Sequence, residues 1–171
     1  MEIILHKKED LDWTAKPNIV ETYLSDTLPE RELCSTAFAF VFNNGKFLLI
    51  DSKEWATKGR RLDIPGGHVE EGETPEDGVI REVFEETGVV VKVNKLVGFT
   101  KIDIKGDKSE DYFYPYPVSY ILFYICDFIE EKEFTENDET HGRVWLEPED
   151  FHKSEWCVEN KNFLDEVMKL I

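Results

Sequence analysis

Apolar residues along this chain fall into short extended runs, set around one stretch with helical spacing. Residues 34–42, CSTAFAFVF, are strand-like, and 46–51 form a second run of the same kind. Between them Asn43-Asn44-Gly45 supplies residues that accept positive φ, so a tight hairpin is predicted. Residues 62–64 are a short extended piece ended by Pro65, which biases Ile64 away from helix. Pro65-Gly66-Gly67 then opens a loop through the acidic stretch 68–73. Further strands are predicted at 89–93, 96–104, 117–128 and 143–146, with 105–111 as a polar loop. Residues 1–32 are polar and weakly patterned, and read as an extended arm with a short strand.

Thr74-Pro75-Glu76-Asp77 has the chemistry of a helix start. Thr74 is the N-cap, Pro75 takes the first helical position, and the acids lie in the first turn. The helix runs to Thr87, and Gly88 stops it. At about 100° per residue, Val79, Ile80, Val83, Phe84 and Thr87 fall on a buried arc, and Glu82, Glu85 and Glu86 share another face. A closing amphipathic helix is predicted over 160–171, with Phe163, Leu164, Val167 and Leu170 on one side. Strands around a central helix, plus a closing helix, imply an α+β fold, an α/β/α sandwich with a mixed sheet.

Composition narrows the class. The 171 residues fit a single domain, 1–171, and 41% hydrophobic residues suffice for a globular core. The start MEIILHKKED is too charged for a signal peptide, and the apolar run 118–128 is too short to span a bilayer. No membrane association is therefore expected. Cys34, Cys126 and Cys157 are widely spaced and suit reduced thiols of a cytoplasmic protein. A net charge of −17 argues against long nucleic acid as a partner, but not against a small phosphorylated ligand held through a metal.

The acidic face of the helix costs something. Glu82–Glu85 and Glu82–Glu86 are like charges at contact spacing, each worth roughly 0.2–0.5 kcal/mol of repulsion. Arg81 reaches Glu85 at i+4, but no Lys or Arg stands at i±3 or i±4 of Glu82 or Glu86. A solvated acidic face is the plain interpretation. The adjoining Gly-Gly turn and the absence of His and Cys from the cluster favour a hard divalent cation, Mg²⁺ or Mn²⁺.

Residues 67–89 read GHVEEGETPEDGVIREVFEETGV. They resemble the Nudix box, G-x5-E-x7-R-E-U-x-E-E-x-G-U with U aliphatic. The matching residues are Gly67, Glu73, Arg81, Glu82, Val83, Glu85, Glu86, Gly88 and Val89. The resemblance implies the Nudix fold, with the box as a loop-helix-loop, and Mg²⁺-dependent hydrolysis of a diphosphate linkage, Mn²⁺ substituting. It implies that Glu82, Glu85 and Glu86 ligate metal together with the Gly66 carbonyl. Arg81 would orient a glutamate and Glu73 would shape the loop. A further ligand or general base from a late loop is also implied. Glu139, six residues before Trp145, fits it, with Asp138 and Glu136 as neighbours and surface acidity as the alternative. The family contains many dimers, so a homodimer is compatible with the resemblance.

Substrate identity is written outside the box. The proline that marks ADP-ribose cleavers and the tyrosine that marks diadenosine polyphosphate cleavers are both absent at 104–107. Tyr114-Pro115-Tyr116-Pro117-Val118-Ser119 loosely resembles part of the NADH pyrophosphatase signature, against a proline-stiffened strand entry. Arg60, Arg61 and Tyr114 are candidates for substrate contact, with solvation and packing as the alternatives. Trp55, Tyr112, Phe113 and Trp156 are weaker candidates for stacking on a base. The leading expectation is a hydrolase of a nucleoside triphosphate or another nucleoside diphosphate derivative, including nucleotides of the 8-oxo-dGTP kind. The alternatives are a dinucleotide or nucleotide-sugar pyrophosphatase, an inactive nucleotide-binding regulatory module, and an isomerase of isoprenoid diphosphates.

Overall fold

The N-terminal arm is more ordered than its polarity suggests. It forms two strands, β1 (Ile3–Glu9) and β2 (Asn18–Leu24), paired antiparallel. Alternation in NIVETYL sends Asn18, Val20 and Thr22 inward, all three buried. The Asn18 side chain closes the connection, accepting from the Leu11 N–H and donating to the Leu11 and Ala15 carbonyls. The computed structural model describes residues 2–57, 59, 62–110 and 112–171, with the main chain alone at Trp55.

Beyond the arm the chain continues through β3 (Cys34–Asn43), β4 (Lys46–Ser52), α1 (Lys53–Ala56), β5 (Leu62–Asp63) and β6 (Gly66–His68). Then come α2 (Pro75–Thr87), β7 (Val89–Ile104), β8 (Val118–Glu131), β9 (Thr140–Leu146), α3 (Glu155–Glu159) and α4 (Lys161–Met168). The β3–β4 turn carries Asn44 at φ 51° and Gly45 at φ 80°, the left-handed pair a tight hairpin needs. The sheet runs β1-β2-β7-β8-β3-β4-β5, with β6 also pairing β3 and β9 pairing β4. Among the described residues β3–β8 is the parallel pair and the other pairs are antiparallel, so the sheet is mixed.

Side-chain alternation along β3 divides the core into two layers. Ala37, Ala39 and Val41 face α2 with Val79, Val83, Leu122 and Tyr124. Phe40 belongs to the opposite layer with Phe47, Leu49, Trp156, Phe163, Leu164 and Val167, where α3 and α4 pack. Helices on both faces of a mixed sheet make the α+β sandwich that the pattern predicts.

Several boundaries differ from expectation. The two runs 89–93 and 96–104 are one strand, β7, whose register shifts at Val93/Lys95 and Leu96/Gly98 absorb the polar break. Gly66–His68 is a strand rather than loop, because β3 offers it backbone partners. The closing helix ends at Met168, leaving Leu170 49% exposed, and α1 and α3 are additional short helices.

Helix α2 matches its capping signals. Thr74 accepts from the Asp77 N–H, and Gly88 closes the helix in the left-handed region at φ 68°. Its rotation differs from the predicted one. Pro75, Gly78, Val79, Val83, Glu86 and Thr87 are buried, and Phe84 is 48% exposed. The buried arc is thus turned toward Glu86 and away from Phe84.

Candidate active site

Two glycines explain that rotation. At Gly66, with φ 143°, an added Cβ would stand 2.3 Å from the Ala37 carbonyl oxygen and 2.6 Å from the Phe38 Cα. At Gly67 an added Cβ would meet the Glu82 carboxyl group at 2.6–2.7 Å. The bare backbone of β6 therefore lies tightly between β3 and the acidic face of α2. Glu86 is drawn inward and accepts from the Gly66 N–H at 2.8 Å.

Arg81 organises the rest. Its Nε and Nη2 donate to the two Glu73 oxygens at 2.8 and 3.0 Å, a bidentate fork. Nη1 donates to Glu82 at 2.9 Å and Glu85 at 3.1 Å, and Nη2 also reaches the His68 carbonyl at 2.9 Å. One guanidinium thus ties three carboxylates to β6. The repulsion expected at Glu82 is relieved from i−1, which the helical contact spacings do not cover.

The carboxyl groups differ in environment. Arg81, aided by the Glu70 N–H, holds Glu73 down at about 2. Burial raises Glu82 above the usual carboxylate range despite the Arg81 hydrogen bond. Burial pushes Glu86 up to about 8, with the charges of Glu82, Glu139 and Asp63 adding to it and the Gly66 N–H opposing it.

Glu139 joins this group from the loop before β9. Its charge is felt at both Glu82 and Glu86. Of its acidic neighbours, Glu136 is engaged by Lys53 at 2.6 Å and His141 at 3.0 Å. Among the described residues no three His, Cys, Asp or Glu side chains are gathered into a ready-made metal cage. Glu82 and Glu85 rest on Arg81, and Glu86 rests on Gly66. The donor set itself fits a hard divalent cation: every candidate side chain is a carboxylate, and Glu86 is one whose charged form burial disfavours.

Of the candidates for substrate contact, Tyr114 lies at the edge of this group. Its hydroxyl is 2.6 Å from His68 Nε2, and the two rings stack at 5.3 Å and 19°. Tyr112 meets Tyr114 edge-on, and Phe113 is 90% exposed. Trp156 is not a surface ring; it packs against Phe40 and Phe47 in the core, where an indole is too deep to meet a ligand. Arg60, Arg61 and the Trp55 side chain lie outside the described residues. Sequence reasoning missed His68, whose place directly after the Gly-Gly pair was the available signal.

A family model described as NUDIX domain matches residues 33–167. A MutT-like protein of Streptomyces ambofaciens is 40% identical over 83 residues, 47% of this chain and 49% of that protein. An ADP-ribose pyrophosphatase of Methanocaldococcus jannaschii is 49% identical over 55 residues, 32% of each chain. The chain therefore spans half or less of the length of these two relatives. The solved structure of a mutant form of a Bacillus subtilis pyrophosphohydrolase, BsRppH, matches at TM-score 0.63 and 25% identity. It covers 89% of this chain and 85% of that one.

Proposed function

This chain belongs to the Nudix family, and from that premise we propose that it is a Mg²⁺-dependent hydrolase of a diphosphate linkage in a small nucleotide-like substrate. The observation that carries the proposal is the packing of Glu82 and Glu86 against bare Gly66-Gly67 backbone, with Glu85 held on the same helix by Arg81 and the charge of Glu139 reaching Glu82 and Glu86 from the loop before β9. Those four carboxylates and the Gly66 carbonyl would hold Mg²⁺, with Mn²⁺ as a substitute. Bound metal would neutralise diphosphate oxygens and lower the pKa of an attacking water. A carboxylate of the set takes the proton from that water. Arg81 keeps the glutamates aligned through its contacts to Glu73, Glu82 and Glu85, and Glu73 keeps the loop closed on the helix start.

The stacked His68–Tyr114 rings beside Gly67 offer a flat apolar surface for a nucleobase. They suit a nucleotide, and the first reading is a nucleoside triphosphate substrate, with oxidised deoxynucleotides included. The resemblance to an ADP-ribose pyrophosphatase supports the second reading, a nucleoside diphosphate joined to another group. Among the described residues no helix is long and apolar enough to cross a membrane, and the three cysteines are free and buried. Both facts are compatible with the cytoplasm as the proposed location.

The test is hydrolysis with Mg²⁺ across a nucleotide panel, with products identified. Pyrophosphate plus a monophosphate supports the first substrate class, and two monophosphate-bearing products support the second. Glu85→Gln and Glu86→Gln are expected to fold and to lose about 10²–10⁴-fold in turnover. Turnover within a few-fold of wild type in both would overturn the proposal.

A further inference from the structure

The box helix ends in a carbonyl that the helix cannot satisfy. Gly88 N–H is used by Phe84, and Val89 N–H goes to the Thr87 hydroxyl, so Glu85 has no i+4 donor. Asn137 fills that role: its Nδ2 donates to the Glu85 carbonyl at 3.0 Å. The Oδ1 of the same side chain accepts from the N–H groups of Glu139 at 3.0 Å and Thr140 at 2.9 Å. One amide therefore binds the backbone under Glu85 to the backbone that carries Glu139. The far side of the loop is fixed separately, since Lys53 donates through Nζ to the Asn137 carbonyl and through its N–H to the Glu139 carbonyl.

We propose that Asn137 is a positioning residue, which sets Glu139 against the acidic face of α2 by bridging the late loop to the end of that helix. The inference rests on the hydrolase proposal above for its catalytic consequence, but its structural content stands apart from it. The Asn137 side chain is spent on backbone groups, so in this role it acts through Glu139. Loosening such a support around a metal site typically costs about 10–100-fold in affinity or activity.

The experiment compares wild type, Asn137→Ala, Asn137→Asp and Glu139→Gln, alone and with Asn137→Ala added. Amide hydrogen exchange needs no activity and reads the loop half of the bridge, the two N–H groups held by Oδ1. Protection at the Glu139 and Thr140 amides should be lost in N137A and kept in N137D, which retains the acceptor oxygen. Mn²⁺ binding, followed by titration calorimetry, should weaken about tenfold in N137A. In steady-state assays kcat should fall and the Mg²⁺ concentration for half-maximal rate should rise, with KM for the nucleotide little moved. Adding N137A to E139Q should cost nothing further. Full protection at both amides in N137A, or losses that add completely to those of E139Q, would overturn the proposal. If N137A does not fold, N137D decides: it loses the donor to the Glu85 carbonyl, so wild-type kcat and Mn²⁺ affinity in N137D would contradict the proposal. An absence of Mg²⁺-dependent hydrolysis in the wild type would instead count against the hydrolase assignment and leave the exchange result standing.

Discussion

One methyl group, added in turn at each of two adjacent glycines, should separate folding from chemistry. At Gly66 the new Cβ meets backbone, the Ala37 oxygen at 2.3 Å and the Phe38 Cα at 2.6 Å, and φ is 143°. Neither obstacle can rotate away, so β6 must part from β3. Strained backbone costs about 1–3 kcal/mol and overpacking about 1–3 more, so Gly66→Ala should lose about 2–6 kcal/mol. Typical domains have about 5–15 kcal/mol in total, which leaves this variant marginal. At Gly67 the obstacle is the end of a flexible side chain, the Glu82 carboxyl group at 2.6–2.7 Å. That group can swing aside at the loss of its 2.9 Å bond from Arg81, worth about 1.5 kcal/mol. Gly67→Ala should therefore fold, with Glu82 displaced and turnover down at least about tenfold. Urea denaturation gives the stabilities, and Mg²⁺-dependent hydrolysis gives the rates. Near-wild-type stability of Gly66→Ala, or full turnover by Gly67→Ala, would refute the packing argument.

The rotation of α2 makes its own prediction. Val83→Ala should cost about 1–3 kcal/mol, whereas Phe84→Ala, at a half-exposed position, should stay within about 1 kcal/mol in thermal melts. Glu86 sets a pH dependence. Its carboxyl sits at about 8 in the folded chain against 4.5 ordinarily, so the folded state binds the extra proton between those values. The Glu86 contribution to stability should therefore be full below about pH 4.5 and fall as pH rises toward 8. Melts from pH 5 to 8.5 should show that slope in wild type, flattened in Glu86→Gln and reduced by Mg²⁺; an equal slope in Glu86→Gln would contradict it.

The parts of the molecule that were legible in sequence are those decided locally. Thr74, Pro75 and Gly88 bound α2 because capping depends on neighbours within four residues. Asn44-Gly45 bounds the hairpin for the same reason. What escaped was set by partners distant in sequence. The apolar arc of α2 spans Phe84, yet the helix turns Glu86 inward because Gly66 offers an N–H and Gly67 no side chain. The tripeptide Gly66-Gly67-His68 has little strand preference and becomes β6 only by pairing with Thr36–Phe38 of β3. Arg81 reaches Glu73 eight residues back, which no helical spacing rule covers.

The same geometry says where the site needs positive charge. Glu73, Glu82 and Glu85 share one guanidinium. Glu86, buried among the charges of Glu82, Glu139 and Asp63, has a backbone N–H as its hydrogen-bond partner. An ionised carboxylate in that position is costly without a counter-charge, so below about pH 8 it holds a proton. A divalent cation entering there must displace that proton, because a carboxylate ligand binds deprotonated. Cation affinity should then rise with pH, and uptake near neutrality should release a proton. Calorimetric titration of Mn²⁺ in buffers of different ionisation enthalpy would reveal it. An apparent binding enthalpy that does not change with buffer would show that Glu86 is not the group the cation discharges.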